Sequence, residues 1–206
     1  MYSILKRIFD VTFSVIGLIV FTPLFLAVAL IIKLDSKGPV FYRGVRAGKN
    51  GRPFRIFKFR TMVENAENIG GPSTSADDHR LTKVGKIIRN LKIDEFPQMI
   101  NILKGEMSFV GPRPEVLDEV ENYNEEETRI LTVMPGMVDY ATTKFHNEEE
   151  ILEGAEDPHQ AYKEKIQPEK LKLALEYVDN RSLWVDIKVL LTFISTLITT
   201  RIGNES

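Results

Sequence analysis

The chain has 206 residues, 43% hydrophobic and 27% charged, which suffices to bury a core and is too apolar for a disordered chain. It has no cysteine, which excludes a disulfide scaffold, a cysteine-ligated zinc site and a thiol nucleophile; three scattered histidines (His79, His146, His159) do not suit a histidine-rich metal cage. The net charge of −2 hides a segregation: residues 1–114 carry +9, residues 115–179 carry −12, and the remainder +1. Such a split predicts a basic half that meets anions and an acidic half that faces water.

Residues 11–32 form an uncharged run of 22, long enough as a helix to cover a bilayer core of about 30 Å. The run is too long for the apolar part of a secretory signal, and no small-x-small cleavage site follows it. Pro23, directly after Thr22, removes a backbone donor and predicts a kink; the hydroxyl of Thr22 or Ser14 can serve a freed carbonyl. Lys6 and Arg7 precede the run and Lys33 and Lys37 follow it, so the positive-inside rule separates the two ends poorly. Two topologies stay open: a kinked span with the N-terminus outside, or a re-entrant hairpin that breaks at Thr22-Pro23 and returns to the cytoplasmic face.

Between Ser36 and Val63 there are eight basic residues and no acidic one. Gly48-Lys49-Asn50-Gly51 separates two runs rich in Val, Phe, Tyr and Ile, the pattern of a β-hairpin. Basic and aromatic residues interleaved just after a membrane segment suit anionic lipid or phosphate. Nucleic acid is the rival partner, disfavoured by the membrane segment beside the patch. Gly70-Gly71-Pro72-Ser73 predicts a mobile loop. Arg80, Lys83, Lys86, Arg89 and Lys92 then recur every third residue, a period that drifts around a helix and predicts a broad basic surface.

Asp94-Glu95-Phe96-Pro97 allows two readings. In the plainer one Asp94 caps a helix, Glu95 favours its first turn, Pro97 is tolerated there and Gly105 ends it. In the other, two adjacent carboxylates between phosphate-attracting segments supply a nucleophile toward phosphorus and hard oxygen ligands for Mg²⁺. Gly111-Pro112-Arg113-Pro114 is a stiff loop that holds a guanidinium in place, a bidentate partner for phosphate. Residues 115–180 read as acidic, solvent-facing helices and loops. The 12 uncharged residues 189–200 are too short to span and suit an interfacial helix or a core helix equally. No internal repeat, P-loop or dinucleotide fingerprint is present.

Together, KRIFD (6–10), the apolar run with its proline, FKFRTM (57–62), the block from Arg80 to Glu115, and YVDN with DIK within 177–188 resemble the bacterial sugar transferases, the monotopic phosphoglycosyl transferases. The likeness covers nearly the whole chain in order. It implies a mainly α fold with a small β-hairpin: a re-entrant helix–break–helix anchor (1–37), then a compact membrane-surface catalytic domain with amphipathic interfacial helices (38–206). It implies transfer of a phosphosugar from a UDP-sugar to undecaprenyl phosphate through a covalent aspartyl-phosphosugar, with release of UMP, to start a surface glycan. Carried onto this chain, Asp94 is the nucleophile, and Glu95 helps it hold Mg²⁺ and positions the phosphates. Arg113 beside Pro112 binds phosphate, Lys58, Arg60 and Arg46 line the basic site, and Thr22-Pro23 is the membrane break. The implied place is the cytoplasmic face of the bacterial inner membrane, against anionic lipid and without nucleic acid.

The chain departs from the family's pattern at three points. Gly44 stands where Gln is common, Met137-Val138-Asp139-Tyr140 replaces the usual continuation after Pro135-Gly136, and Ala174 stands where Asp is frequent. The last two bear on the choice of sugar more than on the chemistry. The alternative function is a non-catalytic, membrane-anchored module of the same fold that binds phosphate or a partner.

Overall fold

The computed structural model describes residues 2–71, 73–145 and 147–203, so His146 lies outside the described residues. The chain starts with one helix, α1 (Tyr2–Asp35), long and apolar enough to cross a bilayer. Helical structure continues through Pro23, so Thr22-Pro23 lies inside a helix and does not end one. The Thr22 hydroxyl donates to the Leu18 carbonyl at 2.6 Å, not to the Ile19 carbonyl that Pro23 leaves without its helical donor. Ser14 Oγ is buried and bonds nothing. Aromatic contacts hold the helix to the domain on both sides of the proline: Phe21 lies 5.0 Å from Phe96 and Phe25 5.4 Å from Phe59, between ring centres.

These contacts belong to a series that runs the length of α1. Lys6 Nζ bonds Asp186 at 2.8 Å, and Arg7 donates to the carbonyls of Ile102 and Leu103. Buried Asp10 accepts from Ser108 Oγ and the Phe109 N–H, both at 3.1 Å. Farther along, Val28 and Ile32 pack with Phe59 and Ile88. The opposite face, including Ile8, Ile19, Val20, Leu26, Leu30 and Leu34, is exposed and apolar.

Nested antiparallel pairs follow. β1 (Phe41–Tyr42) pairs with β4 (Lys58–Phe59), and inside it β2 (Val45–Ala47) pairs with β3 (Pro53–Arg55) across a turn at Lys49–Gly51. This is the hairpin expected from Gly48-Lys49-Asn50-Gly51. Pro72 of the expected mobile loop lies outside the described residues; on either side of it, buried Arg80 donates to the carbonyls of Gly71 and Ser73 at 2.9 and 3.1 Å while it pairs with Asp78. The period-three basic residues therefore do not all form a surface. Arg80 points inward, and Arg89 bonds Glu149 at 2.5 Å.

Helix α2 (Lys83–Asn90) is capped by Thr82, whose hydroxyl accepts from the Gly85 N–H. A 3₁₀ turn (Ile93–Glu95) leads into α3 (Gln98–Lys104), which ends on Gly105 in the left-handed region at φ 82°, as expected for a glycine stop. Next come β5 (Ser108–Val110), α4 (Leu117–Val120), a 3₁₀ segment (Glu127–Thr132) and β6 (Gly136–Val138), which pairs parallel with β5. The acidic half continues as α5 (Tyr140–Lys144), α6 (Glu148–Ile151), α7 (Pro158–Lys165) and α8 (Gln167–Asn180). It is not uniformly solvent-facing: Leu152, Tyr162 and Ile166 form a small core there, and Glu119 and Asp139 are buried.

The last helix, α9 (Leu183–Gly203), has two apolar aspects. Val185, Val189 and Phe193 pack on Val110, Val138 and Tyr177, whereas Trp184, Ile187, Leu191 and Ile194 are exposed in a row. The inner face is that of a core helix, and the outer one is the exposed apolar face an interfacial helix would need. The architecture is mostly helical with small sheets, as the resemblance implies.

Candidate active site

The site is assembled from three short segments. β4 brings Lys58, the 3₁₀ turn before α3 brings Asp94 and Glu95, and the loop after β5 brings Arg113. That loop is seated by backbone packing. Gly136 donates to the Pro112 carbonyl at 2.8 Å and Gly111 to the Val138 carbonyl at 3.1 Å. A Cβ on Gly136 would stand 2.1 Å from Gly111 N, so only glycine permits this approach. Pro112 is thus buried scaffold, and it leaves Arg113 to project from a fixed loop.

Glu95 is the hub. Its Oε1 accepts from Lys58 Nζ at 2.7 Å and from Arg113 Nη2, and its Oε2 accepts more weakly from Arg113 Nη1 at 3.4 Å. The side chains are partly shielded, with 16% of Glu95, 20% of Lys58 and 34% of Arg113 exposed. Burial alone would raise the Glu95 pKa, but Arg113 and then Lys58 outweigh it and hold the carboxyl well below its usual range. Lys58 is lowered by burial, against the pull of Glu95. Arg113 is raised by Glu95 and stays charged.

Asp94 is the opposite case. It is 6% exposed, and its Oδ1 is buried without a hydrogen-bond partner. Burial, and next the charge of Glu95, pushes its carboxyl up to about 6. Helix capping does not account for it. The residue at the N-cap of α3 is Pro97, the 3₁₀ turn starts from Lys92, and neither terminus has a side-chain cap. Two neighbouring carboxylates are therefore driven apart, one fixed as an anion by two cations and one poised near neutrality, a pattern typical of sites with acid–base or nucleophilic work to do.

Other expected site residues lie elsewhere. Arg60 is buried and donates to the carbonyls of Ser36 and Lys37 and to Ser36 Oγ, so it fastens the end of α1 instead of facing the dyad. The strand ends at Phe59, one residue before Arg60. Arg46 lies on β2 and donates to its own strand at the Val45 carbonyl; no bond or ion pair among the described residues joins it to the dyad.

Two contributors were not singled out from the sequence. Asp139 Oδ2 accepts from the Arg113 backbone N–H at 3.3 Å, while Oδ1 accepts from the N–H and hydroxyl of Thr142, both at 2.6 Å. The Asp139-x-x-Thr142 spacing is a capping box, legible as a helix start but not as a tether for Arg113. The second is Arg89, which contributes to the positive field on Asp94 from α2 while bonded to Glu149. The departure at Gly44 also has a local cause. A Cβ there would stand 2.1 Å from the Tyr42 hydroxyl, so the Tyr42 ring occupies the space a Gln side chain would enter.

No group of three or more His, Cys, Asp or Glu side chains that could enclose a metal occurs among the described residues. The dyad still fits a hard cation of the Mg²⁺ kind, which takes one or two carboxylates and completes its shell with water and substrate phosphates. The free Oδ1 of Asp94 is the available oxygen, with Glu95 beside it.

Comparisons along the whole chain point to one family. Residues 1–200 match the family described as bacterial sugar transferase. The UDP-N-acetylgalactosamine-undecaprenyl-phosphate N-acetylgalactosaminephosphotransferase of Aeromonas hydrophila is 38% identical over 203 residues, 96% of this chain and 44% of that protein. The uncharacterized sugar transferase EpsL of Bacillus subtilis is 37% identical, over 91% of this chain and 84% of its own length. The UDP-glucose:undecaprenyl-phosphate glucose-1-phosphate transferase of Caulobacter vibrioides is 34% identical, over 95% of this chain and 70% of its own. The chain thus spans under half of the Aeromonas relative and most of the other two. A match along nearly its entire length makes this chain a member of the bacterial sugar transferase family.

Proposed function

We propose that the protein is a phosphoglycosyl transferase that moves a sugar phosphate from a UDP-sugar to undecaprenyl phosphate by way of Asp94. The observation that carries this reading is the buried, unpartnered Asp94 carboxylate beside a Glu95 that gathers Lys58 and Arg113. An Asp94 oxygen attacks the phosphorus that bears the sugar, the bond from that phosphorus to the bridging oxygen breaks, and UMP leaves. An oxygen of the lipid phosphate then attacks the same phosphorus, the Asp94–phosphorus bond breaks, and the carboxylate is regenerated. Arg113 and Lys58 hold the phosphoryl oxygens and balance the charge that develops on them. Mg²⁺, held by Asp94 and Glu95, would add Lewis-acid neutralisation of the donor's diphosphate. The test is UMP release over a panel of UDP-sugars with undecaprenyl phosphate and Mg²⁺. At least one donor should turn over only when lipid phosphate is present in continuous supply, and no release from any donor would contradict the reading.

The anchor is read as re-entrant, with the catalytic domain on the cytoplasmic face at headgroup depth. Three observations support this: Pro23 near the middle of α1, basic residues at both flanks, and contacts from Lys6 through Ile32 to one and the same domain. A straight crossing would carry the opposite ends of α1 to opposite sides, against those contacts. A cysteine placed at residue 3 should therefore be labelled from the cytoplasmic side, and Pro23→Leu should shift labelling toward the periplasm. Periplasmic labelling of the unsubstituted anchor would overturn the topology.

A further inference from the structure

Gln98 is 1% exposed, yet its Nε2 has no hydrogen-bond partner among the described residues. A buried amide donor without an acceptor is costly and uncommon in a folded core. Its position in the helix gives it a direction. Glu95, Gln98 and Asn101 succeed one another at intervals of three along the turn that becomes α3. The outer two members of this row both face the β3–β4 segment: Glu95 bonds Lys58, while Asn101 accepts from the Phe57 N–H and donates to the Arg55 carbonyl. Gln98 lies between them, one turn below the dyad. Asn101 is fully engaged, and Glu95 has its cations; Gln98 alone in the row has an idle donor.

Glu95 depends on two groups that the proposed reaction also needs. Lys58 and Arg113 both bond Glu95 Oε1, and the proposed donor's phosphates would compete for the same N–H groups. Each bond that turns to phosphate leaves Glu95, a partly shielded anion, with one fewer donor.

We infer that Gln98 is a positioning residue whose side-chain amide takes over as donor to Glu95 when Lys58 and Arg113 turn to the donor's phosphates. This inference rests on the proposed function and deepens it. The amide is idle in the resting protein and used in the occupied one, so its contribution falls on the bound states. It does not touch the reacting phosphorus.

The test compares the native protein with Gln98→Met, which keeps the volume and removes the polar group, using melting temperature, its shift on adding UDP, and steady-state turnover. The expected result is a resting melting temperature equal to or above native, a reduced shift with UDP, and a loss in kcat/KM of about tenfold or more, the scale of one hydrogen bond to a charged group. Gln98→Glu, of the same shape but with an acceptor in place of the amide donor, should lose more at pH 8 than Gln98→Met. A lowered resting melting temperature or failure to fold in Gln98→Met would overturn the inference, since it would show the amide already satisfied at rest. Native-like turnover and UDP response would overturn it equally. The native protein is the control for the underlying reading: if it neither responds to UDP nor turns over, the proposed function fails, whereas a native protein that does both isolates the result to Gln98.

Discussion

Asp94→Asn is expected to reduce turnover by about a thousand-fold or more while raising the melting temperature at pH 8. The loss follows from the chemistry, because an amide cannot form the phosphosugar ester; removing a nucleophile outright costs at least this much in comparable covalent enzymes. The gain follows from the environment, because burial and the Glu95 charge lift the Asp94 pKa from 3.8 to about 6. A folded-state value above the unfolded one means that ionised Asp94 destabilises the fold. The cost is complete above about pH 6, shrinks as pH falls, and is gone below the unfolded value. At pH 8 it is on the order of 3 kcal/mol, which an uncharged asparagine avoids. For a chain of this length each kcal/mol corresponds to about 2–4 °C, so a rise of several degrees at pH 8 should vanish near pH 4. Native turnover should also fall about tenfold per unit below pH 6 as the nucleophile becomes protonated. A helix cap would give a different pattern, with near-native turnover and a small stability loss at all pH values.

Glu95→Gln should have the opposite effect on stability. Removing this anion leaves Lys58 and Arg113 facing each other around an uncharged amide. Partial exposure of the three side chains keeps the cost below that of a fully buried pair, about 1–3 kcal/mol at pH 7. Because the Glu95 pKa is held well below 4.5, its contribution is present above pH 4.5 and is lost as pH falls through the folded-state value. The melting temperatures of native protein and Glu95→Gln should therefore differ at pH 7 and converge in strong acid. Turnover should fall and the Mg²⁺ concentration needed for half-maximal rate should rise, since one hard oxygen ligand has lost its charge. Equal melting temperatures at pH 7 would mean that the two cations do not rely on Glu95.

Local chemistry made part of this legible in the sequence. Gly48 to Gly51 marked a hairpin turn and Gly105 a helix stop, because Asn50, Gly51 and Gly105 take the left-handed backbone that Asn and Gly adopt most readily. The apolar length of α1 was equally plain, whereas its unbroken course through Pro23 was not: contacts from Phe21 and Phe25 to the domain hold both sides of the proline. The dyad could be suspected but not decided. Asp94 before Pro97 looks like a cap, and only three-dimensional burial shows that it caps nothing. Arg80, expected on a basic surface from its spacing, and Arg60, expected in the site from the resemblance, both turn inward. Charge spacing along the chain does not reveal a guanidinium drawn inward by backbone carbonyls, here those of Ser36 and Lys37 or of Gly71 and Ser73. Gln98 gave no signal in sequence, because its interest lies in a bond it does not make.

The central claim is that Asp94 carries the phosphosugar between donor and lipid, and the mass of the intact protein tests it most directly. Native protein incubated with Mg²⁺ and a UDP-sugar it turns over, without lipid, should gain the mass of one phosphosugar and release one UMP. The added mass should map to the peptide containing Asp94, disappear on adding undecaprenyl phosphate, and never form in Asp94→Asn. An unmodified protein, under conditions in which adding the lipid yields product, would contradict the covalent route.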